Sequence, residues 1–373
     1  MKPIDRLRSL FLEASGALGD LGTFLPYVIG AISINHLSPS SVFSTFGLFY
    51  VSSGLFYRMP MAVQPMKAAS AYALSYELTP DAIAAASVAI GVILVVLWAT
   101  GAIKWLVKHT PGSVSIGIQT GLGISLALLG IKFIMQQPLL GLILLVMMFL
   151  IFQNSRFPAA IIALILGILS GYATGLINGF PAIVPGFYLP EIKLPVIADL
   201  FSANILTFIM IQIPLTLTNA VIATSALSSK LYPSHKRVTA GNLSLSMGIA
   251  NLFSGTLGGM PMCHGSGGVA AHYKFGARHA IAPVMLGTFF LFTGLFFGES
   301  GLELLKIIPG AVLGCLLFYS GFELAGVFKD AKKKEMSVVV IVAVISIATN
   351  PALGFVLGIL VNYGVNIDKF RRY

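Results

Sequence analysis

Charge is scarce in this sequence, and cysteine scarcer still. Of 373 residues, 10% are Asp, Glu, Lys or Arg and 57% are hydrophobic, and the mean hydropathy is +0.91. So few charges cannot cover the surface of a water-soluble chain of this size. Apolar runs of helix-spanning length recur from end to end, which makes the chain an integral membrane protein. Two cysteines, Cys263 and Cys315, are too few for a disulfide framework. No A-x-A cleavage site follows the basic start MKPIDRLRSLFLEASGALGD, whose apolar part carries Glu13 and Asp20; it reads as a cytoplasmic lead into a first span, not a signal peptide. The net charge of +10 comes without a contiguous basic surface, so no nucleic-acid partner is expected.

Signatures of chemistry are missing too. No further Cys or His stands at ligand spacing from Cys263-His264, so no metal site is expected and no cofactor is implied. The run HGSGG at 264–268 does not fit the G-x-S-x-G of hydrolases and lacks the Gly-Lys-Ser/Thr ending of a phosphate-binding loop. The chain is not expected to be an enzyme.

What the sequence does contain is periodic. Fourteen apolar segments stand at roughly 12–34, 40–57, 65–78, 82–101, 111–131, 138–153, 158–177, 201–226, 240–257, 264–275, 279–298, 305–325, 336–349 and 351–366. The third and tenth are too short to cross about 30 Å of hydrocarbon as helix alone. With the N-terminus placed inside, nineteen of the 23 Lys and Arg fall in inward loops and tails. Lys132, Lys193 and Lys306 fall outside, and Lys67 lies within a span. That bias predicts a multi-pass cell-membrane protein with both termini cytoplasmic.

The two halves echo each other. RMPMAVQPMKAASAYAL (58–74) is matched by GMPMCHGSGGVAAHYKF (259–275), with Met-Pro-Met recurring at an offset of 201. TPGSVSIGIQTGLGISLA (110–127) is matched by IPGAVLGCLLFYSGFELA (308–325) at an offset of 198, Gly123 aligning with Gly321. Repeats of seven spans, about 12–177 and 201–366, are therefore expected, and an odd number inverts the second copy. The fold class is all-α with a 7+7 inverted repeat. Pro60, Pro65 and Pro261 predict short extended stretches before half-helices 3 and 10.

Two half-helix N-termini facing each other form an anion site from backbone amides and positive dipole ends. Gly265, Gly267 and Gly268 allow an oxyanion close to the backbone, and Ser266 adds a hydroxyl donor. The alternative is that these glycines only permit tight helix packing. Ionisable groups inside spans are functional candidates: Asp20 as a proton carrier or as the partner of Lys67, Lys67 as an anion ligand or as that partner, and Glu323 as a structural residue near a span end. His264 and His272 are either titratable or packed. Gln212, Thr216, Thr218 and Asn219 put some polar groups on one helical face of the eighth span, for ligand or interhelical bonding.

GDLGTFLP (19–26), MPMAVQPMKA (59–68), PLTLTNAVIATSALS (214–228) and GGMPMCHGSGGVAAHYKFGAR (258–278) resemble the molybdate transporter family related to the sulfate permeases, over nearly the whole chain. The resemblance implies a core domain of about 12–101 plus 201–298 moving against a gate domain of about 102–200 plus 299–366. The permeases' cytoplasmic regulatory domain is absent from this pattern. It places substrate at Gln64, Pro65, Met66, Lys67, His264, Gly265, Ser266, Gly267 and Gly268, with the region of Asp20 and Thr23 lining the same site and Thr216 and Asn219 beside it. The function implied is secondary active transport of molybdate, with tungstate as a surrogate and sulfate as the competing substrate. An anion channel and an intramembrane hydrolase are the readings from other classes. The oligomeric state stays open, a homodimer included.

Overall fold

In the computed structural model the described residues are 3–19, 21–103, 111–152, 159–173, 175, 179, 183–195, 200–306 and 308–365. The described residues are mainly helical: α1 (Pro3–Leu18), α2 (Leu21–Ser33), α3 (Pro39–Tyr57), α4 (Lys67–Ser75), α5 (Pro80–Ala99), α6 (Gly112–Ile134), α7 (Pro138–Phe152) and α8 (Ala159–Ala173) come first. After them stand α9 (Ala203–Leu215), a π-helical segment (Thr216–Ala223), α10 (Thr224–Leu231), α11 (Ala240–Thr256), α12 (Ser266–Lys274), α13 (Ile281–Lys306), α14 (Gly310–Ala325), α15 (Met336–Ala348) and α16 (Pro351–Val365). Two short strands, β1 (Gln64–Pro65) and β2 (Met262–Cys263), precede α4 and α12. Among the described residues, five helices are long and apolar enough to cross a membrane.

Local chemistry sets the helix starts. Ser38 and Thr79 each accept a hydrogen bond from the amide three residues on, and a proline follows at the first helical position of α3 and α5. This pairs a side-chain cap with a residue whose missing N–H costs nothing there. α3 ends at Arg58, whose left-handed φ of 57° turns the chain toward β1.

The structure departs from the sequence reading in three places. The segment 12–34 is two helices, since α1 stops at Leu18 and α2 begins at Leu21; the glycines of GALGDLG are poor helix formers. The helix of segment 279–298 runs on to Lys306 past a kink at Phe297. The eighth segment extends to Leu231 and is not uniformly α-helical. Pro214 lies just before its π-helical stretch; lacking an amide, it removes one bond of the ladder and lets the next turns slip to a wider register.

Helices pack in two sets. In one, α3 lies along α13 and α5 along α11; in the other, α6 is flanked by α14, α15 and α16. Glycines bring the backbones together. A Cβ on Gly47 would lie 2.5 Å from the Leu291 amide, and one on Gly91 would lie 2.8 Å from the Leu252 amide. At the α6–α14 crossing, Gly123 meets the Ala325 amide and Gly321 the Gly123 carbonyl in the same way. Small residues of this kind supply van der Waals contact where lipid removes the hydrophobic drive between helices.

Candidate anion site

β1 and β2 pair antiparallel, Gln64 opposite Cys263 and Pro65 opposite Met262, and the Met66 amide adds a bond to the Pro261 carbonyl at 3.0 Å. Non-helical backbone at membrane depth is tolerated only when its polar groups are satisfied. Here side chains complete that task. Asn251, fully buried, donates to the Met262 carbonyl at 2.8 Å and accepts from its amide at 3.0 Å. Ser254 donates to the Met260 carbonyl, and Thr224 to that of His264. Asn35 donates to the carbonyls of Ala73 and Leu78 at the far end of α4.

The paired strands launch α4 and α12, nine residues each. Neither has a side-chain N-cap, since Met66 and Gly265 occupy the cap positions. In α12 the amide of Val269 bonds back to Gly265; the amides of Ser266, Gly267 and Gly268 precede that first bond and have no intrahelical acceptor. Both helix starts therefore direct the positive ends of their dipoles into the same region.

The residues singled out from the sequence converge here in different ways. Ser266 is half-buried and Gly267 exposed, and a Cβ on Gly267 would meet nothing within 4 Å. Ser266 donates to Asn219 Oδ1 at 2.6 Å, which joins α12 to the π-helical segment. Gly265 is buried directly beneath the carboxamide of Gln64, whose Nε2 donates to Thr23 at 2.8 Å. Gln212 accepts from the Ala69 amide at 2.9 Å, occupying one first-turn donor of α4, and donates to Thr216 at 3.0 Å. Pro65, Met66 and Gly268 are buried. Asp20 lies outside the described residues.

Lys67, the first residue of α4, is half-buried and stands 3.5 Å from Glu323 on α14. Glu323, read from the sequence as a structural residue at a span end, thus lies at the seam between the two helix sets.

His264 is fully buried. Its Nδ1 faces the Ala62 carbonyl at 2.8 Å and its Nε2 faces Ser246 Oγ at 3.0 Å, so the ring donates to the carbonyl and accepts from the hydroxyl. Tyr57 Oη lies 2.7 Å from the same Ser246 oxygen, and the rings of Phe49 and Tyr57 pack against the imidazole. The residue presents backbone to the site, while its ring fixes the break. Ser246→Ala is expected to destabilise the protein by about 1–3 kcal/mol, because a buried ring nitrogen loses its partner. Thermal unfolding checks this, and an unchanged midpoint would contradict it. His272 is likewise buried, with Nδ1 against the Gly16 carbonyl at 2.8 Å.

Sequence reading missed Asn251, Asn35, Tyr57 and Ser246. Asn251 carried a usable signal, a lone carboxamide in the apolar run SMGIANLFSG, whereas Tyr57 and Ser246 are ordinary residues in their helices until the fold joins them.

The fold, a helical bundle with two half-helices meeting at paired strands, is shared with solved structures of membrane transporters. The transmembrane domain of the cyanobacterial bicarbonate transporter BicA superposes with a TM-score of 0.68 at 17% identity, covering 93% of this chain and 97% of that one. Murine Slc26a9, an anion transporter in the inward-facing state, gives 0.71 at 14%, covering 99% and 69%. Residues 12–126 and 204–324 match the model of the family described as "Molybdate transporter of MFS superfamily", and the chain belongs to that family of transporters, which are not enzymes. Molybdate transporter 2 of Arabidopsis thaliana is 33% identical, covering 93% of this chain and 86% of that protein. Molybdate transporter 1 of the same plant is 30% identical, covering 96% and 90%.

Proposed function

We propose that the protein is a secondary active transporter of molybdate that binds the oxyanion between the N-terminal ends of α4 and α12 and works by alternating access. One observation carries this reading. Two nine-residue helices start at one strand pair, and in the first turn of one of them Gly267 stands open. Backbone amides and dipoles suit a tetrahedral dianion without a dedicated cationic cage. Molybdate is the substrate named for the relatives in Arabidopsis thaliana, and it distinguishes this reading from sulfate transport. Isothermal titration of purified protein with molybdate, tungstate, sulfate and uracil tests it: molybdate and tungstate bind, and uracil does not. Tighter binding of sulfate than of molybdate would overturn the substrate assignment.

The mechanism that goes with this reading has fourteen spans in two inverted repeats, both termini cytoplasmic in the cell membrane, and a core (about 12–101 plus 201–298) moving against a gate (about 102–200 plus 299–366). Its support is a symmetry of contacts. The crossing of Gly47 with the backbone around Gly287 has a counterpart in Gly248 with Gly91; Gly47 and Gly248 are 201 residues apart, and Gly91 and Gly287 are 196. Asp20, read from the sequence as a proton carrier or as the partner of Lys67, is assigned the carrier role in this proposal: Asp20→Asn is expected to retain substrate exchange and lose pH-driven accumulation, because an amide cannot titrate. Full pH-driven uptake by that variant in proteoliposomes would remove the role.

Lys67 and Glu323 join core to gate in this scheme. Their side chains are 22% and 37% exposed, so solvent screening limits the pair to roughly 0.5–1 kcal/mol. A double-mutant cycle of Lys67→Met and Glu323→Gln, read by thermal unfolding without substrate, is expected to show a coupling of that size. Strictly additive losses would dissociate the two residues. Lys67→Met is also expected to weaken molybdate binding more than Glu323→Gln does.

A further inference from the structure

We propose that the groove between α3 and α11 is a binding site for one anionic phospholipid, with an acyl chain in the groove and the phosphate at Arg58 and Arg237. The groove is half open along its length and has a volume of about 310 Å³. It runs from Thr45 to Tyr57 along α3 and from Ser254 to Asn242 along α11. Tyr57 bonds to the Asn242 carbonyl at one end, and the hydroxyls of Thr45 and Ser254 approach Gly259 together at the other, so the two walls are antiparallel. Twelve residue-to-residue rises of about 1.5 Å give a length of roughly 18 Å, close to the roughly 15 Å of one leaflet's hydrocarbon.

The lining selects an apolar occupant. All but one of its hydroxyls are spent on the protein: Thr45 on the Ser41 carbonyl, Ser52 on that of Leu48, Ser254 on that of Met260, and Tyr57 with Ser246 in the chain to His264; Ser53 Oγ is buried without a partner among the described residues. What remains is apolar, and Leu48, Phe56, Ile249 and Phe253 along it are exposed, as residues in contact with lipid are. An apolar cavity of this kind stays dry and takes an apolar guest.

Charge selects the headgroup. At the Tyr57 end stand the exposed residues Arg58, next to Tyr57 in the chain, and Arg237 with its neighbour Lys236. Arg237 donates to the Phe56 carbonyl at 2.9 Å, and its guanidinium lies 5.7 Å from the centre of the Phe56 ring, a wall of the groove. No acidic residue occurs from 21 to 76 or from 200 to 298, so neither wall nor the loop before α11 supplies a competing carboxylate. Basic residues at a membrane surface attract anionic lipid by about fivefold each. An occupant would also brace the anion site, because Phe49, Tyr57 and Ser246 line the groove and hold the His264 ring.

Native mass spectrometry of the full chain, titrated with phosphatidylglycerol, phosphatidylcholine or oleate, tests the site without reference to transport. The expected result is one retained phosphatidylglycerol, favoured over phosphatidylcholine by about tenfold or more. The double variant Arg58→Gln, Arg237→Gln should bring the two lipids level. Ile249→Trp, which fills the groove, should abolish retention of both; Leu245→Phe is the milder filling variant if the tryptophan does not fold. Equal retention of the two phospholipids by the unmodified chain overturns the proposal. So do oleate competing as well as phosphatidylglycerol, retention that survives groove filling in a folded variant, and a dimer in which a second copy covers α3 and α11.

Discussion

Gly267→Asp is expected to lower molybdate affinity by at least about a hundredfold while the protein still folds. A Cβ at this exposed position meets no atom within 4 Å, so bulk alone is tolerated. The carboxylate, however, would stand in the first turn of α12, where the proposed site sets the dipole and unbonded amides toward the anion. A fixed negative charge there competes with the substrate and repels it, and two unit charges about 4 Å apart at an effective dielectric of 20 interact by about 4 kcal/mol. Gly267→Asn is the matched control, nearly the same in shape and without the charge. It should lose about tenfold or less. Comparable losses for Asn and Asp in isothermal titration would show that shape, not charge, governs the position, and the anion site would have to be moved.

Gly123→Leu is expected to have the largest effect on the fold itself. Its Cβ alone would come within 2.5 Å of the Ala325 amide and the Gly321 carbonyl, both backbone atoms of α14. No rotamer relieves that contact, so α6 and α14 must separate. Overpacking costs about 1–3 kcal/mol where side chains can give way, and more where they cannot. Because Gly130 meets the same helix at the Gly314 carbonyl, a shift at one crossing disturbs the other. The variant should fall by more than 10 °C in thermal unfolding or fail to yield monodisperse protein, whereas Gly326→Ala, with open space around it, should be neutral. A stable Gly123→Leu protein would contradict the α6–α14 packing.

The parts of this architecture that could be read from sequence are those written in glycine and proline. Met59-Pro60-Met61 and Met260-Pro261-Met262 marked the two breaks, because proline restricts backbone directly and needs no partner to do so. Gly265, Gly267 and Gly268 were read as letting a ligand approach the backbone, and in the fold Gly265 is the N-cap of α12 with Gly267 and Gly268 in its first turn. Contacts across the fold were not legible. Gln64 lies on Gly265 and reaches Thr23, and Lys67 faces Glu323 at a distance of 256 residues along the chain. No spacing rule connects such positions. The eighth segment misled in a different way. Thr216, Thr218 and Asn219 were placed by a 3.6-residue period, but the helix is π-wound from Thr216 to Ala223, and the wider turn rotates Asn219 to meet Ser266. His264 was read from its residue type as titratable or packed, and only the family resemblance placed it at the substrate; buried with both ring nitrogens partnered, it packs as a fixture of the break.

The account rests on an oxyanion held between the starts of α4 and α12, and locating a heavy one tests it most directly. Crystals or vitrified particles of the full chain with tungstate would show the tungsten by anomalous scattering or by its strong density. The expected position is beside the Ser266 and Gly267 amides, facing the first turn of α4 at Lys67. Tungsten bound at another place in the chain, with the two helix starts occupied by side chains or water at saturating tungstate, would contradict it.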